Sequence, residues 1–145
     1  MARADVEIQT VTYQDAIADI QSIRRQVFQE EQGVAAALEF DGLDAQATHL
    51  LAIHQGVAVG TTRIRRLTED TAKIERVAVL AAHRGEGIGR QLMHYALDHL
   101  KRQGIPQIKV NAQLQVQPFY ESLGFKVEGE VFEEAGIPHV TMWRR

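Results

Sequence analysis

A chain of 145 residues with 45% apolar and 24% charged side chains is the size of one domain and can bury a core of its own. A formal net charge of −3 argues against nucleic acid as the main partner, and no apolar run reaches the roughly 20 residues that a membrane span needs. The absence of cysteine excludes a thiolate nucleophile, a disulfide and a cysteine-held metal. Only two serines are present, Ser22 and Ser122, and neither sits in a Gly-x-Ser-x-Gly elbow, so a covalent acyl-enzyme is disfavoured. Met1-Ala2-Arg3-Ala4-Asp5 lacks the apolar core of a signal peptide. The expectation is a single domain over residues 1–145, located in the cytoplasm, where a chain without cysteines is at home.

In chain order, Val6 to Val11 alternates as a first strand. From Gln14 to Gln32, the residues Ile17, Ile20, Ile23, Val27 and Phe28 recur at helical spacing, and Gly33 stops the helix. Residues 34–47 are mixed and acidic and read as a loop. His49 to His54 and Val57 to Leu67 pair across the tight turn Gln55-Gly56. Thr68-Glu69-Asp70 turns the chain again into a long strand from Thr71 to Leu80. A helix from about Gly87 to Gln103 carries Ile88, Leu92, Met93, Ala96, Leu97 and Leu100 on one stripe; Gly104 caps it and Pro106 keeps it ended. Gln107 to Ala112 is a strand, and Val116 to Leu123 a short helix closed by Gly124. Phe125 to Val131 and Val140 to Trp143 form a closing pair of strands. The helix between the fourth and fifth strands implies one parallel crossover in an otherwise antiparallel sheet. The predicted fold class is therefore α/β, a mixed, mostly antiparallel central sheet flanked by helices. Edge strands near the C-terminus make a homodimer reasonable.

The richest segment is Val77-Ala78-Val79 followed by Arg84-Gly85-Glu86-Gly87-Ile88-Gly89. An apolar strand ends, a glycine-rich turn follows, and a long helix begins. Amides at a helix start lack intrahelical partners and can bind an anion, glycines let the main chain approach it, and Arg84 adds positive charge. The segment reads as a pyrophosphate site, although such a loop can also simply turn the chain. A dinucleotide fingerprint fails because Arg90 stands where the third glycine belongs and the next strand ends in Asn111 rather than an acid. A triphosphate loop fails for want of Gly-Lys-Ser/Thr.

Taken with Asn111-Ala112-Gln113, Pro118-Phe119-Tyr120-Glu121 and Leu123-Gly124-Phe125, this loop resembles the GNAT family of N-acetyltransferases across nearly the whole chain. A narrower similarity, to the ElaA/YjcF-like branch, runs through Val27-Phe28, Glu31-Gln32, Glu39-Phe40-Asp41, His49, Ile74 to Val79 and Gly136-Ile137-Pro138-His139. The resemblance implies a GNAT-type sheet and acetyl-CoA as the acetyl donor. It implies a pyrophosphate site at Arg84, Gly85, Glu86, Gly87, Ile88, Gly89 and Arg90. It further implies main-chain pairing of pantetheine with Val77, Ala78 and Val79, and a thioester beside Phe119 and Tyr120. Asn111 ends the next strand, where it contacts the coenzyme or forms a turn.

Acetyl transfer to an amine needs a neutral amine, a stabilised carbonyl oxygen and a proton for the departing thiolate. Tyr120 is the candidate acid, since a phenol (reference pKa about 10) can protonate a thiolate (about 8.5); a packed tyrosine is the plainer alternative. Glu75 is the candidate base. Alternation puts it on one face with Val77 and Val79, where partial burial would raise its pKa; an ion pair with Arg63 or Arg65 is the alternative. Glu31 and His139 are candidates for acceptor contacts, against the reading of solvated or satisfied side chains. Arg63, Arg65 and Arg66 form a basic cluster in which Arg63 and Arg65 share a face; it reads mainly as a solvated strand face, against contact with the coenzyme's phosphates or an anionic acceptor. No metal is expected, since His94 and His99 do not share a helix face. The expected activity is acetyl transfer to an amine acceptor by direct attack in a ternary complex. A non-catalytic acyl-CoA sensor of the same fold is the alternative. The acidic run from Glu39 to Asp44 leans toward a cationic acceptor; acceptor identity and acyl length stay open.

Overall fold

A computed structural model describes residues 5–145. The signal-peptide reading of the first residues rests on Met1 to Ala4, which lie outside the described residues. Strand β1 (Glu7–Val11) leads through Thr12 into α1 (Tyr13–Arg24), where the Thr12 hydroxyl accepts the Asp15 amide at 3.1 Å as an N-cap. The meander β2 (Thr48–His54), β3 (Val57–Arg66) and β4 (Thr71–Val79) follows as expected. Next come α3 (Ile88–Arg102) and β5 (Gln107–Gln113); the short helix α2 (Ala36–Glu39) lies earlier, between α1 and β2. The chain ends with α4 (Gln117–Ser122), β6 (Lys126–Val127), β7 (Phe132–Glu134) and β8 (Ile137–Arg144). The sheet runs β1-β2-β3-β4-β5-β8-β6, with β7 also on β8; only β4 and β5 are parallel. Among the described residues no helix is long and apolar enough to cross a membrane.

The six apolar residues of the α3 stripe are all buried against one face of the sheet. Gly60 allows this close approach. A Cβ there would meet the Ala78 carbonyl oxygen at 3.2 Å and the side chains of Leu92 and Ile88 at 3.2 and 3.3 Å. On the opposite face, α1 buries Ala16, Ile20, Ile23 and Val27 against Leu51 and Ala78.

The structure departs from the sequence expectation in four places. The long first helix is not uniform: from Arg25 to Glu31 it widens into a π-helix, and Gly33 (φ 70°) lets the Val34 amide reach back to the Phe28 carbonyl. A kink at Ala16 leaves Ile17 exposed, with Ala16 in its place on the buried stripe. Residues 34–47 hold α2 and two buried acids, Glu39 and Asp44. The strand expected over Phe125 to Val131 stops at Val127, because Gly129 (φ 95°) turns the chain away. β8 starts earlier than expected, through a hairpin whose turn residues Ala135 and Gly136 both have positive φ.

Candidate active site

Strands β4 and β5 pair only from Thr71 to Lys73 against Gln107 to Lys109. Beyond that point they part, and the β4 edge that faced β5 has no strand partner. A cavity of about 420 Å³ opens there, lined on the β4 side by Ile74 to Val77, on the β5 side by Asn111 to Gln113, and by Phe119 and Tyr120 of α4. The parting coincides with a bulge. Arg76 has a φ of 55°, and the β3–β4 register slips by one residue between Thr61 and Arg63. The extra residue overturns the predicted alternation: Val77 and Val79 pack toward α3, whereas Ala78 and Glu75 face α1.

Glu75 therefore stands in a row with Arg63 and His49 across three strands. Arg63, wholly buried, donates to Glu75, Asp41 and Asp44; Arg65 also bonds Glu75, and Lys73 Nζ lies 3.3 Å from its second oxygen. The expected rise in the Glu75 pKa is corrected by this contact set. Burial pushes the carboxyl up, but the Arg65 hydrogen bond and the charges of Arg63 and Lys73 outweigh it and hold the group below the usual carboxylate range. Arg63 is likewise no solvated side chain. Behind it, Arg24 bridges Glu39 and Asp44 while being 1% exposed. The acidic run is thus engaged internally: Asp41 serves Arg63 and Arg76, and Asp44 serves Arg24 and Arg63. Arg24 carried a legible signal, since it falls four residues after Ile20 and three before Val27, on the buried stripe.

Tyr120 lies at 7% exposure with its ring edge-on to Phe119 and Phe125. Burial pushes its phenol up to about 12. Among the described residues no hydrogen bond occupies its hydroxyl, so the group keeps its proton and has it to give.

Gly85 and Gly87 adopt φ of 78° and 81°, and Gly87 opens α3, whose first amides have no intrahelical acceptor. A domain model described as "Acetyltransferase (GNAT) domain" matches residues 7–145. The chain belongs to the GNAT acetyltransferase family. "Uncharacterized N-acetyltransferase YjcF" of Bacillus subtilis is 33% identical over 132 residues, 90% of this chain and 94% of that protein. The crystal structure of Escherichia coli ElaA superposes with a TM-score of 0.87 at 30% identity, covering 97% of this chain and all of that one. An acyl-CoA N-acyltransferase from Pseudomonas aeruginosa matches with the same score, identity and coverage. A more distant GNAT fold from Elizabethkingia anophelis, 15% identical with a TM-score of 0.75 over 96% of this chain and 97% of that one, was crystallised with acetyl-CoA bound. The chain falls in the ElaA/YjcF branch.

Within this GNAT fold the predicted residues divide. Asn111, Phe119, Tyr120, Glu75, Val77 and His139 line this cavity. Asn111 sits inside β5, where its side chain accepts from Thr141 at 3.0 Å. Ala78 and Val79 lie on β4 beyond the bulge, and Gly89 lies between Val79 and Phe119. Ile88 is a core side chain, so only its amide faces the loop. Arg90 caps the Phe119 ring at 5.3 Å and donates to Ser122. Glu86 meets His83 at 3.4 Å. Glu31 does not reach the cavity: its two oxygens take both terminal nitrogens of Arg84 at 2.7 Å, while Arg84 Nε holds the Val79 carbonyl. The reason is the π-helix, which carries Glu31 toward the glycine-rich loop.

Proposed function

We propose that this chain moves an acetyl group from acetyl-CoA to an amine acceptor, by direct attack with both molecules bound, as a single domain over residues 1–145 in the cytoplasm. The observation that carries the reading is the parting of β4 from β5 with Tyr120 at its wall. The residues present fit the coenzyme. The unpaired β4 edge at Val77 to Val79 suits an added strand such as pantetheine, and the amides over Gly85 to Arg90 suit a pyrophosphate. Acetyl-CoA supplies an activated acyl carbon on a thiol leaving group. The absence of cysteine leaves no cysteine to carry the acetyl group between donor and acceptor.

Tyr120 is the proton donor to the departing sulfur, and its elevated pKa keeps that proton in place until charge develops. Glu75, crowded by three cations, is a weak base and acts as a positioning residue. The geometry favours His139 for the amine's proton. Its Nδ1 lies 2.7 Å from the Ile137 carbonyl, which only accepts, so Nδ1 carries the hydrogen and Nε2 presents its lone pair. Glu134 lies 3.6 Å from that Nε2. Calorimetric titration with acetyl-CoA, CoA, NAD and ATP, followed by thiol release over an amine panel, tests the proposal. Failure to bind acetyl-CoA at millimolar concentration overturns it. Binding without thiol release from any amine identifies a sensor instead.

A further inference from the structure

We propose that the acceptor is an amine that also bears a carboxylate, and that Arg65 and Lys73 hold that carboxylate on the β3–β4 wall of the cavity. The inference rests on the acetyl-transfer reading above and names its substrate class.

The charge network is unbalanced, and its surplus points one way. Arg24, Arg63, Arg65, Lys73 and Arg76 are five cations; Glu39, Asp41, Asp44 and Glu75 are four carboxylates. Arg24 and Arg63 are enclosed and fully matched by Glu39, Asp41 and Asp44. Arg76 spans Asp41 and the carbonyls of Leu38 and Glu39. Arg65 and Lys73 have Glu75 alone, and Glu75 already belongs in part to Arg63. One carboxylate thus answers two cations that have no other.

Arg65 bonds Glu75 through Nε, and among the described residues both terminal nitrogens of its guanidinium have no hydrogen-bond partner. Arg65 and Lys73 are opposite one another in the β3–β4 register, and both line the cavity. Their side chains are 24% and 15% exposed, so water reaches them only in part, and a carboxylate in the cavity would displace it. A planar carboxylate fits a guanidinium fork beside an ammonium, with two donors from one side and a point charge from the other.

The acids on the cavity wall are already occupied. Asp41 has Arg63 and Arg76, and Glu134, 45% exposed, takes the Asn111 side-chain amide. The strongest mark for a cationic acceptor is Glu39, whose Oε2 is buried without a hydrogen bond. Its charge, however, is matched by Arg24 and, at 3.9 Å, by Arg76. The expectation of a cationic acceptor, drawn from the acidic run, therefore yields to an anionic one.

The test compares each of the common amino acids with its own amide and its decarboxylated amine, in thiol release from acetyl-CoA by the full chain. The expected result is at least one amino acid used tenfold or more better in kcat/KM than its two counterparts that lack the carboxylate. R65Q and K73M should each raise KM for that amino acid about tenfold and bring the ratio toward one, while kcat and the acetyl-CoA Kd stay near wild type. R65K should restore part of the ratio. Equal or preferred use of the carboxylate-free amines by the wild-type protein overturns the proposal without recourse to any variant. If acetyl-CoA binds but nothing turns over, the CoA complex is titrated with N-acetyl amino acids and their amides. Tighter binding of the acids supports the proposal, and equal or weaker binding ends it. Absence of acetyl-CoA binding is a different result, the failure of the acetyl-transfer reading itself.

Discussion

On one face of the sheet, α3 lays six apolar residues onto β2, β3 and β4 with no ion pair among them. On the other, α1 begins just as apolar, at Ala16, Ile20 and Ile23, and then places Arg24 in the same stripe, opposite Glu39 and Asp44. The first face needs volume to match. The second needs charges to match as well, because a buried ion without its counter-ion costs several kcal/mol. The donor-side residues Phe119 and Tyr120 belong to the first face, and the cationic wall of Arg65 and Lys73 to the second. Chemistry at the cavity is thus set between a dry, passive wall and a polar one whose charges must be completed.

The largest effect should come from the Tyr120 hydroxyl on the apolar side. Tyr120→Phe keeps the packing against Phe119 and Phe125 and removes only the hydroxyl. Thiol release should fall by about 10²–10⁴ in kcat, the range for loss of a general acid. The acetyl-CoA Kd should stay within twofold. An unchanged kcat removes Tyr120 from the mechanism.

The polar face should break through stability instead. Arg24→Met leaves Glu39 and Asp44 buried with one cation fewer, and should cost about 3–5 kcal/mol in denaturant unfolding. Combining it with Glu39→Gln and Asp44→Asn should recover much of that loss, since the stranded charges are gone. A single mutant as stable as wild type would mean that water compensates these groups. The apolar face has its own counterpart in Gly60→Ala. The added methyl meets a carbonyl oxygen at 3.2 Å, which cannot move without shifting β4, so overpacking should cost about 1–3 kcal/mol.

A pH titration divides the polar face more finely. His49 is buried, its Nε2 lies 2.9 Å from the Asp44 carbonyl, and Nδ1 has no partner. Burial, with Arg24 and Arg63 nearby, holds its pKa below the usual imidazole value. Above about pH 6.5 neither folded nor unfolded chain binds this proton; below it the unfolded chain binds it first, so stability falls as pH falls. Asp41, Asp44 and Glu75 have lowered pKa values, and their contribution is present above about pH 4.5 and is lost below it. Denaturant unfolding should therefore show two successive acid losses, and His49→Gln should erase only the earlier one.

The same contrast explains what was legible in the chain. The α3 stripe, the meander turns and the glycine-rich loop are local signals, written in residues a few positions apart, and each was readable. The parallel crossover followed from them. Arg24 finds its partners 15 and 20 residues away, and Arg63 reaches Asp41 across 22, so no window of sequence shows these charges meeting. The bulge at Arg76 was invisible for another reason: a positive φ was taken by arginine rather than glycine, and the shift moved Glu75 off the face of Val77. The Ala135-Gly136 turn hid in the same way.

The smallest effect concerns Glu31, which lies at the boundary between the two faces. Its bidentate pair with Arg84 is exposed on both sides, 36% and 46%, so its loss should leave stability nearly unchanged. Its consequence for binding has a definite sign. Arg84 stays anchored through Nε to the Val79 carbonyl, so Glu31→Gln does not release the side chain from the loop. It does remove a carboxylate from the neighbourhood of the proposed pyrophosphate site and leaves the guanidinium charge uncancelled there. Acetyl-CoA should bind about two- to fivefold more tightly, with a steeper salt dependence than wild type. Weaker binding would show instead that Glu31 aims Arg84 at the phosphates, and that the π-helix end supports donor binding rather than opposing it.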